Sequence, residues 1–259
     1  MSSVREAFEE EGFHHARGVF TPDEIAGLTT AFDRVVMQLQ EGEEDANGRW
    51  TSAALDDVER EGGLAQTSIT HSHMIHRYSA DWARAMFHPG FIAATREILG
   101  EDIVLHHNKL FFKPAGRGSA FPMHQDWSYF PTRDDSMIAA IIHLTDATDE
   151  MGCVRVYPGS HKLGRVPDSD GTVRNAMIER DYPLEKAVPV EAKAGDVLFF
   201  HYFTLHGSRP NTSDRERKTV LFQMHAGADV PDPNDHPYDR TVLSGMNPHM
   251  ARSLGNALQ

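Results

Sequence analysis

Two short stretches far apart in the chain carry residues that suit metal chemistry. His124 and Asp126 lie two positions apart, and on an extended strand side chains two apart point to the same face. His206, followed by Gly207 and Ser208, is the natural third ligand. Two imidazoles and one carboxylate on one side of a metal ion leave the opposite positions open. That ligand set suits a non-haem Fe(II) centre that binds O2 and a further ligand.

A basic residue downstream of His206 suits an anionic cosubstrate. Arg217 lies eleven positions after His206, where the next strand can return its side chain to the same cavity. 2-Oxoglutarate chelates iron through its keto and C1 carboxylate groups, so its far carboxylate must be held separately. An arginine fork pairs bidentately with a carboxylate and stays charged when buried. Arg215 shares the strand parity of Arg217, and His201 is a second candidate for the third ligand.

At these positions the chain resembles the phytanoyl-CoA dioxygenase family of Fe(II)/2-oxoglutarate-dependent oxygenases. The resemblance runs from about Leu105 to His225, and the stretch from Gly12 to Glu24 is similar to the opening of the family. The matching residues are His124, Gln125, Asp126, Tyr129, Phe130, Pro131, Arg133, Gly152, Cys153, Pro158, Gly159, Ser160, His161, Lys162, Gly195, Asp196, Phe199, Phe200, His201, His206, Gly207, Ser208, Asn211 and Arg217.

The resemblance implies a role for each candidate residue. His124, Asp126 and His206 are the metal ligands, and the family's offset from the distal histidine selects Arg217 for the far carboxylate of 2-oxoglutarate. The remaining candidates for cosubstrate binding are Ser208 and Thr219 as hydrogen-bond donors and Ile142. Lys109 and Lys113 share one strand face and either bind 2-oxoglutarate or an anionic substrate or are solvated lysines at a strand edge. Family members often carry Trp near the position of Ile142, so this contact is expected to be a van der Waals contact only.

The reaction that the resemblance implies is hydroxylation of an unactivated C–H bond of a small-molecule metabolite. Fe(II), 2-oxoglutarate and O2 take part, and succinate and CO2 are released. Related halogenases have Gly or Ala at the position of Asp126, so the carboxylate favours hydroxylation over halogenation. Desaturation, epoxidation and ring closure use the same ligands and stay open. A barrel that only binds a ligand is the alternative outside catalysis.

Bulk properties narrow the class of partner. The 259 residues carry a net charge of −13, which argues against nucleic-acid and anionic membrane surfaces. The single cysteine, Cys153, cannot form an intramolecular disulfide. Nothing near Met1 resembles a signal sequence, and we expect no membrane-spanning segment, because no apolar run approaches the length that spans a bilayer. We expect a cytoplasmic protein with a small-molecule substrate, and the sequence leaves the oligomeric state undetermined.

The pattern along the chain predicts a mainly β protein with flanking helices, built as one domain over residues 1–259. A helical part covers about 1–100, a double-stranded β-helix (a jelly-roll, cupin-like barrel) about 101–226, and a C-terminal segment, wrapping or partly disordered, about 227–259. Helices are predicted at Val4–Glu11, from the capping box of Thr21 to Glu24 as far as Gly42, and over Asp81–Leu99 with a break at His88-Pro89; Glu41–Ser52 is predicted as a loop. Strands are predicted at Phe13–Phe20, Val104–Lys113, Met137–Leu144, Cys153–Tyr157, Val197–Tyr202, Leu205–Arg209 and Arg217–His225.

Three features leave alternatives open. His71 and His73 have strand spacing, but no carboxylate or cysteine lies close by in sequence, so lining the substrate pocket or exposure to solvent is favoured over a second metal site. The segment from Lys162 to Pro189 has the length of a lid or binding loop. Arg155 either binds an anionic group of the substrate or pairs with a surface carboxylate.

Overall fold

The computed structural model describes residues 3–41, 71–116, 118, 120–171, 175–232 and 238–249, so nearly all of the predicted loop Glu41–Ser52 lies outside the described residues. The helices in these ranges are α1 (Val4–Glu11), α2 (Pro22–Glu41), α3 (Ala80–Ala85), α4 (Pro89–Leu99) and α5 (Ala176–Asp181). Short 3-10 helices cover Ile75–Arg77, Ser160–Leu163 and Leu184–Lys186.

Eleven strands are described. They are β1 (Phe13–Ala16), β2 (His71–His73), β3 (Ile103–Lys113), β4 (Phe121–His124), β5 (Ile138–His143), β6 (Val154–Val156), β7 (Val188–Pro189), β8 (Val197–His201), β9 (His206–Ser208), β10 (Arg217–Ala226) and β11 (Val242–Ser244). The larger sheet has the order β1-β8-β5-β10-β3-β11, with β2 also paired to β3, and the smaller sheet has the order β4-β9-β6-β7. All pairings are antiparallel, and the two sheets form the predicted jelly-roll barrel.

The helix boundaries follow the predicted capping signals. The Thr21 hydroxyl accepts from the Glu24 amide, and the Glu24 carboxylate accepts from the Thr21 amide, which is the predicted capping box at the start of α2. The predicted break at His88-Pro89 separates α3 from α4. Pro89 opens α4, where its missing amide costs nothing, and the His88 ring accepts from the Phe91 amide.

Strand β5 shows why the larger sheet can support a site on one face. It lies between β8 and β10, and all six of its residues are buried, as predicted for a central strand. Ile138, Ala140 and Ile142 pack in the core between the sheet and the helices. Ala139 and Ile141 face the opposite side, toward Val156 of the smaller sheet. The helices therefore cover one face, and the interior of the barrel lies on the other.

Strand β1 ends well before its predicted bound, and the strand that carries His124 ends before Asp126. Strand β1 stops at Ala16, short of the predicted Phe20, because Gly18 has a φ of 59° and its amide donates to the Asp196 carboxylate instead of a sheet partner. Strand β4 stops at His124, so Asp126 lies in the bend that follows rather than on the strand.

The chain on both sides of the predicted barrel range also joins the larger sheet. Strands β1 and β2 come from the N-terminal part, and β11 shows that residues 242–244 of the C-terminal segment wrap onto β3. The described part of the predicted lid segment contains α5, two 3-10 helices and β7. Within the described ranges, none of the helices combines the length and apolar character that crossing a membrane requires.

Candidate active site

The pairing of β4 with β9 sets two imidazoles side by side. His124 is the register partner of His206, and their ring centroids are 4.1 Å apart. Gly207 permits this close approach, because a Cβ at that position would meet the carbonyl oxygen of Phe121 at 2.9 Å and Sδ of Met123 at 3.0 Å. A side chain there would push the two strands apart.

Asp126 reaches the two histidines from the bend after β4. Its backbone amide donates to the Tyr202 carbonyl at 2.9 Å, which fixes the turn of the chain. Asp126 Oδ1 lies 3.5 Å from Nε2 of His124 and 3.7 Å from Nε2 of His206. One ligand atom from each of the three residues lies within 4.8 Å of the other two, and all three residues are buried.

The hydrogen bonds fix which imidazole nitrogen is available for a metal. Nδ1 of His124 lies 2.8 Å from the Pro122 carbonyl, and Nδ1 of His206 lies 2.9 Å from the Thr204 carbonyl. A carbonyl only accepts, so each Nδ1 carries the proton and each Nε2 presents its lone pair to the centre. Two neutral imidazole nitrogens and one carboxylate oxygen fit Fe(II).

Electrostatics keep His206 and Asp126 in the protonation states that a metal needs. Burial lowers the pKa of His206 to about 4, so its imidazole is neutral at neutral pH. Burial alone would raise the pKa of Asp126, but His206 and His124 outweigh it and lower this pKa to about 2. The site therefore presents an ionised Asp126 carboxylate beside a neutral His206 ring.

Gln223 of β10 supports Asp126 from behind. Its side-chain nitrogen donates to Asp126 Oδ2 at 2.6 Å, which leaves Oδ1 directed toward the two histidines. Gln223 was not predicted from the sequence. A signal was present, because Gln223 interrupts the apolar run from Val220 to Met224 and shares the strand parity of Arg217.

The three candidate ligands lie on the wall of a cavity between the two sheets. The empty space between its walls, together with the part that opens to solvent, is about 630 Å³. Its described lining residues are Lys109, Phe111, Phe121, His124, Asp126, Tyr129, Phe130, Ile141, Val154, Phe200, His206, Gly207, Ser208, Arg217, Thr219, Leu221 and Gln223.

Arg217 lies at one end of this cavity and is buried, with 4% of its surface exposed. Its Nη1 donates to the Gly152 carbonyl, its Nε has no hydrogen-bond partner, and no described carboxylate pairs with it. Burial lowers its pKa to about 10, so the guanidinium stays charged at neutral pH. A buried guanidinium with an unused donor fits the carboxylate of a bound oxoacid.

Lys113 and Ser208 lie beside Arg217. Nζ of Lys113 donates to Oγ of Ser208 at 2.7 Å, so the Ser208 hydroxyl is free to donate its own proton into the cavity. Burial and the nearby Arg217 charge lower the pKa of Lys113 well below its ordinary value. Thr219, two residues beyond Arg217, also lines the cavity. This end of the cavity therefore gathers donors suited to one anion.

The structure corrects one predicted residue. Ile142 does not line the cavity: it packs in the core between the larger sheet and the helices. Its neighbour Ile141 takes the cavity face instead. The prediction was wrong because neighbouring residues on a strand point to opposite faces, so a shift of one position moved the side chain out of the site.

The rival candidates His201 and Arg215 lie away from the three candidate metal ligands. His201 bonds the Asp135 carbonyl and the Phe203 amide through its two ring nitrogens, and Arg215 is exposed. Asn211 forms an isolated β-bridge with Gly118, and its side-chain amide donates to three backbone carbonyls. Arg155 pairs bidentately with Asp149 and donates to carbonyls of the 184–187 segment, so the pairing with a carboxylate is confirmed.

Neither His71 and His73 nor the segment 162–189 contributes a described residue to the cavity lining. No third potential metal ligand joins His71 and His73 within the described ranges. Residues 164–169 of this segment are instead hydrogen-bonded to the chain directly after β4. The Gln125 side chain forms hydrogen bonds with Gly164, Val166 and Ser169, away from the metal centre.

Comparisons with known proteins agree with this geometry. A probable alpha-ketoglutarate-dependent hypophosphite dioxygenase of Stutzerimonas stutzeri is 35% identical over 143 residues, which are 52% of this chain and 49% of that protein, so the match spans about half of each. An ectoine dioxygenase of Bordetella bronchiseptica is 26% identical over 83% of this chain and 72% of its own. The structure of the epimerase SnoN from nogalamycin biosynthesis, in complex with Fe3+, alpha ketoglutarate and nogalamycin RO, has a TM-score of 0.69 at 21% identity, covering 94% of this chain and 95% of its own, and shares the fold.

The family comparison covers most of the molecule. The sequence model of phytanoyl-CoA dioxygenase (PhyH) matches residues 8–219, a range that contains the three candidate metal ligands and Arg217. By this match, the chain belongs to the phytanoyl-CoA dioxygenase family.

Proposed function

We propose that the chain is an Fe(II)- and 2-oxoglutarate-dependent dioxygenase that hydroxylates an unactivated C–H bond of a small-molecule metabolite. The observation that carries the proposal is a pairing of two features in one cavity. Three convergent ligand atoms lie on its wall, and a buried arginine without a carboxylate partner among the described residues lies at its end. A metal site alone or a buried arginine alone would fit many kinds of protein, whereas the two together match a metal and a chelating diacid.

Each residue has a defined task in this proposal. Nε2 of His124, Nε2 of His206 and Oδ1 of Asp126 hold the iron, while Gln223 keeps the carboxylate turned toward it. Arg217 pairs with the far carboxylate of 2-oxoglutarate, with Ser208 and Thr219 as further donors. Iron, 2-oxoglutarate and O2 supply the oxidising chemistry, with release of succinate and CO2. The apolar walls from Phe111, Ile141 and Leu221 exclude water.

Asp126 favours hydroxylation over halogenation. A halide needs the coordination position that a carboxylate fills, and the Asp126 carboxylate is buried, ionised and directed at both imidazoles. Hydroxylation is therefore our first choice, and desaturation, epoxidation and ring closure are variants of the same centre.

The class of substrate is a small molecule. The cosubstrate and the substrate would share the one cavity between the two sheets, and this favours a compact metabolite. Relatives named for ectoine and hypophosphite are named for small molecules too. Further support comes from the net charge of −13, which disfavours a bulky polyanion such as a CoA thioester.

Formation of succinate from 2-oxoglutarate under O2 tests the proposal. We expect succinate only when Fe(II) is added, and we expect none from His206→Ala or Asp126→Ala. Arg215→Gln, which changes an exposed arginine close to Arg217 in sequence, is the matched control and should behave as the unchanged protein. Succinate formation that does not depend on Fe(II), or its complete absence under all conditions, would contradict the proposal.

A further inference from the structure

A second cation lies in the same cavity and has no role in the proposed function so far. Lys109 of β3 lines the cavity with 9% of its surface exposed. Its Nζ lies 5.6 Å from the centroid of the Phe130 ring, and no described carboxylate comes within ion-pair distance of it. Burial lowers its pKa to about 8, while the charge of Asp126 acts in the opposite direction.

Lys109 lies far from the end of the cavity that Arg217 occupies. In the pairing of β3 with β10, Arg217 faces Lys113, whereas Lys109 faces Leu221. Four residues along a strand correspond to about 13 Å. A short diacid whose far carboxylate binds Arg217 and whose other end binds the metal therefore leaves Lys109 for another ligand.

The negative charge of Asp126 stabilises the ammonium group of Lys109. A metal ion bound by Asp126 offsets this charge. Fe(II) carries +2, and the Asp126 carboxylate and the C1 carboxylate of 2-oxoglutarate carry −1 each, so the loaded centre is neutral. The ammonium group of Lys109 is then a buried charge without compensation, which is unfavourable until an anion binds next to it.

Gln223 places an unused acceptor on the same wall. Its side-chain nitrogen donates to Asp126, and a carboxylate only accepts, so the orientation of the amide is fixed. The remaining oxygen, Oε1, is buried and has no hydrogen-bond partner. Gln223 lies two residues beyond Leu221, on the same face of β10, and it therefore neighbours Lys109 diagonally across the two strands.

We propose that Lys109 and Oε1 of Gln223 form the polar subsite for the substrate, and that the substrate is a small organic acid with an N–H or O–H group close to its acid group. The ammonium group of Lys109 binds the acid, and Gln223 accepts from the neighbouring donor. Amino acids and hydroxy acids have this chemistry. The inference rests on the proposed function, because the neutrality of the loaded centre assumes iron and 2-oxoglutarate.

Paired probes test the subsite without a need for turnover. Protein loaded anaerobically with Fe(II) and 2-oxoglutarate is titrated with small amino acids and hydroxy acids, with their carboxamides, and with the corresponding acids that lack the amino or hydroxyl group. Binding is followed by the change in the visible charge-transfer band and by the shift in melting temperature. We expect acids to bind and their carboxamides to bind at least about tenfold more weakly, as expected for loss of a charge-assisted hydrogen bond.

Variants assign the effect to the two residues. Lys109→Met should weaken acid binding about tenfold or more, and Lys109→Arg should retain part of it. Lys186→Met, at an exposed lysine, is the control and should bind as the unchanged protein. Gln223→Met should remove the preference for acids with a donor group over acids without one, a ratio that does not depend on how well the variant holds iron.

Several outcomes would overturn the inference. They are equal binding of acids and carboxamides, no binding by any probe, or acid affinity that is unchanged in Lys109→Met. A Lys109→Met variant that loses affinity for 2-oxoglutarate instead would place Lys109 in the cosubstrate site. Failure of the proposed function is separate, because the charge-transfer band would then be missing before any probe is added.

Discussion

Arg217 and Lys109 are cations buried in one cavity, and each lacks a carboxylate within ion-pair distance among the described residues. Folding a charged group into such a place is unfavourable, since water is removed and nothing replaces it. The chain retains the two charges about four residues apart along the wall of the cavity. We interpret both as binding groups for anions that arrive after folding.

Replacement of Arg217 should raise the thermal stability of the protein and lower its affinity for 2-oxoglutarate. Arg217→Met removes a buried charge and keeps an apolar stem, so the melting temperature of the metal-free protein should rise. Affinity for 2-oxoglutarate should fall roughly 10- to 100-fold, the range expected for loss of charge-assisted hydrogen bonds. Calorimetry on both forms measures the two effects. A melting temperature that falls together with unchanged affinity would show that Arg217 is structural.

Gln223 gives a second prediction at the scale of the residue. Without its hydrogen bond to Asp126 Oδ2, the carboxylate is no longer turned toward both histidines. Gln223→Leu should weaken Fe(II) binding about 10- to 100-fold, as is typical for partners of metal ligands. The measurement is competition with a chromophoric chelator. Unchanged iron affinity would show that Asp126 is oriented by the bend alone.

The strands and loops bring the ligands together, and here the sequence predicted only part of the arrangement. The helices, their capping residues and the central strand β5 follow from local patterns, and the metal ligands, Arg217 and Ser208 were named from spacing and resemblance. Ile142 was misplaced by one position, and Gln223 was missed. The register of the sheet decides whether the side chains of Ile142 and Gln223 face the cavity. This register depends on pairings between strands that are remote in sequence.

Because β4 and β9 lie so close together at Gly207, a methyl group added at this position should disturb their pairing. Gly207→Ala would place Cβ at 2.9 Å from the Phe121 carbonyl oxygen, so the strands must separate and His206 must move away from His124. We expect lower thermal stability and weaker Fe(II) binding. Gly27→Ala is the matched control, because nothing lies within 4 Å of a Cβ there and alanine favours the helix. Equal behaviour of the two variants would contradict this view of the pairing.

Gln125, which directly follows β4, connects this part of the chain with the segment 162–189. Its side chain donates to the Gly164 and Phe203 carbonyls and accepts from the Val166 amide and the Ser169 hydroxyl. Gln125→Leu should leave these groups without partners and speed hydrogen exchange in residues 164–169, while β5 keeps its protection. Lys186→Gln is the control within the same segment. Unchanged exchange at 164–169 would show that other contacts hold the segment.

At the scale of the whole molecule, the net charge of −13 describes the exterior and not the cavity. Lys109, Lys113 and Arg217 make the interior of the barrel basic. An acidic protein can thus bind a small anion deep inside while its surface repels large polyanions such as nucleic acid.

Buried histidines predict how the stability of the metal-free protein depends on pH. Burial lowers the pKa of His71, His143, His201 and His206 to about 4, whereas an unfolded histidine has a pKa of about 6.5. Between these values the unfolded chain binds more protons, so stability falls as pH decreases from about 6.5 toward 4. Urea unfolding at a series of pH values measures this slope, and His143→Gln should reduce it. A stability that is constant across this range would contradict the buried, neutral state of these rings.

The most direct test of the iron–oxoacid centre is an anaerobic absorption titration of the metal-free protein with Fe(II) and then with 2-oxoglutarate. We predict a weak visible charge-transfer band that needs both additions, that weakens in Arg217→Ala and that is retained in Arg215→Gln. The absence of a band, with iron bound only loosely, would contradict the assignment of His124, Asp126, His206 and Arg217.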